Sequence, residues 1–182
     1  MPKISTEIKN SIATISKTEL EKIIIKMAAK DKAVFDYLLV NYLEKETGEN
    51  DLFEETKMDL DSLFRKSYKG FSKELQLANM LSACIKRINQ FSKICKKRDL
   101  EADLMMHVLE FIFSHSTNLF GTCFTAYDYK VAQMINRVIT LVQTKLHPDY
   151  KIEYVEKINN YLTILHRTSN HIDFIDGLPQ SI

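Results

Sequence analysis

Glycine and proline are scarce, four and three in 182 residues. An all-β sandwich needs many tight turns, and so few turn-formers count against one. Cysteine is equally sparse. Cys84 and Cys95 fall on one expected helix, eleven residues and so roughly 16 Å apart. A disulfide needs Cα atoms within about 7 Å, so those two do not bridge each other. Pairing of either with Cys123 stays open, but three cysteines without CxxC spacing read as reduced thiols, and the expected location is the cytoplasm.

Charge of one sign is missing as well. The net value of +1 gives no global reason to expect nucleic acid or an anionic membrane. No long apolar run is present: the densest, Leu104 to Phe113, has ten residues and includes His107 and Glu110. A bilayer span needs about 20 apolar residues, so this segment is a core helix. Met1 to Ser5 opens a polar stretch without an apolar h-region, and no signal peptide is expected. The chain also lacks G-x-S-x-G, P-loop and G-x-G-x-x-G sequences, which removes the loops that nucleophile-elbow and phosphate-cradle chemistry require.

What is present is apolar residues at helical spacing from Thr18 to Arg167, broken by Gly48, Gly70, Gly121 and Pro148. Ile4, Ile8, Ile12 and Ile15 mark a short N-terminal helix or frayed arm over 1–17. The overlapping boxes Ser16–Glu19 and Thr18–Glu21 start the next helix. Asp31 is read as a break and cap before Val34 to Leu43, with Gly48 as stop and Asp51 as the following cap. Gly70 ends that helix, and Ser72 caps the longest one, running to about Lys97. Its stripe Leu77, Leu81, Cys84, Ile88, Phe91, Cys95 alternates by four and three, a heptad seam. Asp99 is expected to cap Leu100 to Phe113, Thr125 the next helix, and Pro148 to occupy a first turn. The prediction is an all-α fold of seven to eight antiparallel helices, a compact bundle or short solenoid-like array. A single domain is placed at 18–167 and a tail at 168–182.

Three groups of residues carry the chemistry. Asp103, His107 and Glu110, spaced four and three, project from one face of the helix between Leu100 and Phe113. Two carboxylates and an imidazole are ligands for a divalent metal, the one cofactor the sequence suggests. The order His-x-x-Glu, however, reverses the Glu-x-x-His of di-metal bundles, and the alternative is a solvated helix stripe. His166, His171, Asp173 and Asp176 gather the same residue types near the C-terminus without a ligand spacing. Lys86, Arg87, Lys93, Lys96, Lys97 and Arg98 form a basic segment without an acid. Glu44 to Asp61 holds eight acids against two lysines. The basic segment is either a surface for phosphate or an acidic partner, or the complement of its own helix's negative end and of the acidic stretch. Cys123 is expected to be buried among Phe120, Phe124 and Tyr127. His115 and His147 are expected to satisfy helix ends.

Together these lead to a non-enzymatic interaction or scaffold module whose partner is another protein. A metal-dependent bundle enzyme built on Asp103, His107 and Glu110 comes second, and nucleic-acid association through 86–98 third.

Overall fold

The computed structural model describes residues 3–169 and 172–182. Their regular structure is entirely helical: seven α-helices of eight residues or more, two shorter ones and no strand. The helices are α1 (Thr6–Ala13), α2 (Lys17–Lys30), α3 (Lys32–Leu38), α4 (Lys45–Phe64), α5 (Lys73–Ile94), α6 (Arg98–His115), α7 (Ala126–Thr144), α8 (Pro148–Thr168) and α9 (Ile172–Ile175). The chain divides into two compact units, Met1–Gly48 and Glu49–Ile182, so the division lies inside α4 and well beyond residue 17.

The N-terminal unit is defined by local capping. Ser5 accepts the Ile8 N–H to start α1. Ser16 accepts the Glu19 N–H at 3.3 Å, the first half of the expected capping box, and donates its hydroxyl to the Glu19 carboxylate at 3.1 Å. Asp31 is extended (φ −128°, ψ 109°), and its carboxylate accepts the Ala33 N–H at 2.9 Å. Although the apolar phase runs through it unbroken, the helix therefore breaks there. A π-helical turn, Leu39–Leu43, follows α3.

Gly48 does not stop a helix, and Asp51 does not cap one. Gly48 lies in the first turn of α4, its N–H bonded to the Glu44 carbonyl at 2.7 Å. A Cβ here would sit 3.4 Å from the Leu39 side chain and 3.5 Å from the Val40 backbone. The glycine serves a close approach of α4 to the preceding turn.

The C-terminal unit holds the core. The seam residues Leu81, Cys84, Ile88 and Phe91 of α5 are fully buried. Helices α5, α6 and α7 pack pairwise on one another, and α8 packs on α7 and buries Ile158, Leu162 and Leu165. Ser72 caps α5 by accepting the Leu75 N–H at 3.3 Å, and Pro148 opens α8 as expected. Asp99 and Thr125, in contrast, make no capping bond. Helix α6 starts at Arg98, and α7 starts with no side-chain cap.

The acid of the Thr125–Asp128 pattern is put to another use. Asp128 is fully buried and accepts the Gly121 N–H at 3.1 Å and the Ser169 hydroxyl at 2.6 Å, joining the loop before α7 to the end of α8. Gly121 makes that loop at φ +73°, a left-handed angle open to glycine at little cost.

The segment after Thr168 is packed rather than loose. Ile175 and Leu178 are buried, the His166 Nε2–H donates to the Pro179 carbonyl at 3.2 Å, and the Ile182 N–H donates to Asn159 Oδ1 at 2.8 Å. Its few apolar residues find the flank of the bundle, which no local periodicity announces.

Candidate functional site

Helix α6 buries Leu104, Met105, Val108, Leu109 and Ile112, so its remaining stripe is held outward at a fixed phase. That stripe carries Asp103, His107 and Glu110, and all three line one open cleft of about 380 Å³ between α4, α6 and α8. The sequence brings them together correctly, but the fold commits each to a different partner. The Tyr154 hydroxyl of α8 donates to Asp103 Oδ1 at 2.6 Å. His107 Nε2 lies 2.7 Å from Asp61 Oδ1 of α4. Lys157 of α8 donates to the Glu110 carboxylate at 3.3 Å.

Among the described residues no group of three or more His, Cys, Asp or Glu side chains comes together to hold a metal ion. Asp103, His107 and Glu110 thus share a face and a cleft without converging on one point. Three ligand types on one helix face give a metal its donors only if their free lone pairs converge, and here each group turns to its own neighbour. The arrangement is instead a row of cross-helix ties from α6 to α4 and α8.

Asp103 is the chemically distinctive member. Burial pushes its carboxyl above the ordinary aspartate range, against the opposing pull of the Tyr154 hydrogen bond. Burial and the facing carboxylate push the Tyr154 hydroxyl up in turn. The pair therefore holds its proton on tyrosine, and Asp103 takes up a second one at a higher pH than an ordinary aspartate does. Because folding raises the Asp103 carboxyl, its stabilising contribution is complete in acid and is lost as the pH rises through the folded-state titration. Asp103→Asn keeps an oxygen for Tyr154 and removes the ionisation. The wild type is expected to lose stability relative to this variant as the pH rises from the ordinary aspartate range upward. Urea unfolding of both proteins across that interval checks it; a pH-independent difference contradicts the assignment.

The basic segment is largely engaged by the chain itself. Arg87 pairs with Asp59 at 2.6 Å and Lys97 with Glu49 at 2.8 Å, both from the acidic stretch on α4. Arg98 pairs with Glu101. Lys96 donates to the Ser92 and Lys93 carbonyls at the end of α5, the position where a cation meets the helix's negative pole. Lys86 and Lys93 remain on exposed positions of α5. The stretch from Glu44 to Asp61 thus complements the basic segment within the fold through Glu49 and Asp59.

The other candidates are dispersed or lie outside view. His171 is outside the described residues, as is the side chain of Asp173. His166 is turned to Pro179, and Asp176 is exposed. His115 Nδ1 meets the Phe111 carbonyl at 2.9 Å, the helix-end role expected of it. His147 accepts the Asp149 N–H as the N-cap of α8. Cys123 is exposed rather than buried. Cys84 and Cys95 are free and buried, and burial pushes the Cys84 thiol up to about 12, which leaves it inert.

Sequence reasoning missed Tyr154 and Asp61 as partners of the α6 stripe, and Glu101 as a buried charge. Their only local signal was helical phase, which says which face a residue occupies and not which helix it meets. No helix among the described residues is long and apolar enough to cross a membrane. No family model, no curated protein and no solved structure matches this chain.

Proposed function

We propose that this protein is a protein-docking module whose binding element is the N-terminal unit. The observation that supports this is where apolar side chains remain wet. Among the described residues, eleven of the fifteen exposed large hydrophobic side chains lie between Ile4 and Leu43. Helices α1 and α2 bury no residue at all, although both are amphipathic. Ile4, Ile8 and Ile12 leave 54%, 53% and 43% of their surface accessible, and Ile25 leaves 69%.

Scattered single exposures are ordinary on a protein surface, but a concentration in one short unit marks an interaction surface. The physical reason is the entropy of ordering. Helices without a buried face are marginal in water, so α1 and α2 gain stability when another surface covers their isoleucines. The partner that suits them is a protein offering an apolar groove to an amphipathic helix, recognised at i, i+4 and i+8 anchors. The exposed tyrosines Tyr37 and Tyr42, edge to face at 5.9 Å, add rigid amphipathic area of the kind interfaces favour.

The test is crosslinking of the full chain in cells that make it, comparing the wild type with Ile8→Glu/Ile12→Glu/Ile24→Glu. The substituted positions are exposed, so the variant's melting behaviour is expected to stay within about 0.5 kcal/mol of the wild type per site. Discrete protein crosslinks mapping to residues 4–43 are expected in the wild type and lost in the variant. Crosslinks that map elsewhere, or that survive the substitutions, would remove the reading. Nucleic-acid association has weaker support, because Arg87, Lys97 and Arg98 already face carboxylates of the same chain.

A further inference from the structure

We infer that a second cavity, formed by the C-terminal end of α4, by α5 and by the C-terminal end of α6, binds a small amphipathic organic anion. It lies wholly in the C-terminal unit, is distinct from the cleft around Asp103, and encloses about 450 Å³. That volume is within the range of small-molecule sites, about 300–1,000 Å³.

Its lining has two chemistries. Phe64, Leu77 and Met80 belong to its apolar lining, while Lys66, Lys73, His115 and the phenol of Tyr68 are its ionisable residues. Every ionisable group of the wall that is charged near neutrality is thus a base, and no carboxylate contributes to the wall. The chain as a whole is balanced, with 24 acids and 25 bases, so the wall's composition does not follow from an excess of bases. The Asp103 cleft shows the contrast: there Lys157 already faces Glu110. Lys66 and Lys73 make no ion pair among the described residues.

The nearest acid in sequence, Glu74, does not line the cavity; its carboxyl is held chiefly by hydrogen bonds, with the Lys73 charge a smaller influence. Its own backbone N–H and the Ser72 hydroxyl hold its carboxyl below the ordinary range. His115 is fixed in orientation, its ring stacked on Phe111 at 4.8 Å and its Nδ1–H donated to the Phe111 carbonyl. That bond leaves Nε2 as the ring nitrogen for a ligand. Phe64, stacked on the other side of the same assembly at 4.1 Å from Phe111, gives the apolar lining a rigid aromatic edge.

The class of ligand follows from pairing the two chemistries. Inorganic phosphate would satisfy the lysines and leave the apolar lining wet, whereas a neutral apolar molecule would cover that lining and leave the cations without a partner. A carboxylate or phosphate monoester on an aromatic or short aliphatic body satisfies both. The two headgroups share this chemistry, and the experiment separates them.

The chain has no tryptophan, so naphthyl emission reports binding without interference from that residue. The probes are 1-naphthoate, 1-naphthyl phosphate and the neutral 1-naphthalenemethanol, each titrated against the full chain at low ionic strength, where lysine attraction is least screened. At least one anion is expected to bind about tenfold or more tightly than the alcohol. The tighter of the two anions identifies the headgroup. Lys66→Glu/Lys73→Glu is expected to abolish the preference, and Lys66→Arg/Lys73→Arg to keep it. Leu77→Phe, which narrows the cavity without adding an indole, is expected to weaken all three probes.

Equal binding of the three probes, or none up to millimolar concentration, would overturn the inference. So would an anion preference that survives the double glutamate substitution in a protein of unchanged circular dichroism. Loss of anion binding in Ile8→Glu/Ile12→Glu would also overturn it, because the probe would then sit on the N-terminal unit. Failure here leaves the docking reading untouched, since neither the cavity nor the probes involve residues 4–43.

Discussion

Replacing Phe91 with alanine is expected to lower the unfolding free energy by about 4 kcal/mol, the largest single effect in the molecule. Phe91 lies on α5 and is fully buried. It occupies the seam that also holds Leu81, Cys84 and Ile88, and its ring meets that of Phe53 edge to face, centroids 6.5 Å apart. Helix α5 packs on both α6 and α7. Phe91 thus sits on a helix packed against two others and meets a ring from α4, so collapse into the space left by the ring is limited. The truncation adds a residual cavity to the lost transfer energy and the lost aromatic pair. Urea unfolding followed by circular dichroism measures it as a lower midpoint at an unchanged slope. Phe91→Leu, which keeps most of the volume, is expected to cost about 1.5 kcal/mol or less. A loss under about 1 kcal/mol for the alanine variant would mean that the α5 seam is not the centre of the core.

Glu101→Ala is expected to cost about 3 kcal/mol for a different reason. Glu101, in the first turn of α6, is only 3% exposed. Its carboxylate accepts from Arg137 of α7 at 2.5 Å and from Arg98 of its own helix. Arg137 reaches on to Asn89 Oδ1 of α5 at 2.6 Å, so a single acid ties the three core helices at one level. Removing Glu101 leaves Arg137 half-buried beside Asn89 with its charge uncompensated. The cost falls at the low end for a broken buried pair, because Arg137 and Arg98 keep some contact with water.

The informative comparison is Glu101→Leu with Arg137→Met, which removes both charges and restores apolar volume. That double variant is expected to be more stable than Glu101→Ala alone. If it is less stable, the network contributes through its hydrogen bonds rather than through the avoided cost of a stranded charge.

Glu101 and Asp128 show where legibility ended. Each is an acid in the first turn of a helix, and in sequence each reads as a solvated residue favoured by the helix dipole. Both are buried, because the partners that make burial tolerable come from elsewhere. Arg137 is 36 residues from Glu101, and Ser169 is 41 residues from Asp128. The reverse holds for the seam of α5, where periodicity alone identified Leu81, Cys84, Ile88 and Phe91 as core. Apolar burial has no required partner, so phase suffices. A buried charge needs a particular counter-charge, and pairing over that separation has no local signature.

The caps divide in the same way. Ser16, Asp31 and Ser72 cap their helices as their local sequence dictates, because the donor lies within three residues. Gly48 and Asp99 carry equally good local signals and do something else, while Thr125 sits at the N-cap position of α7 without a side-chain bond. Helix α4 starts before Gly48, and α6 starts one residue before Asp99. The α6 stripe follows the pattern at the level of a site: its three residues do share one cleft, as their spacing requires, yet Tyr154, Asp61 and Lys157 determine what each is bonded to.

The sequence by itself therefore determined the helical class, the buried seams and the phase of the outward stripes, since all three rest on interactions within a few residues of the chain. Tertiary structure alone decided which charges are buried and how the basic segment meets α4. It also decided that a wall of the second cavity is basic, and that eleven large apolar residues of the first 43 stay exposed. Those outcomes depend on which helix lies opposite which, and a periodic pattern specifies a face without specifying its neighbour.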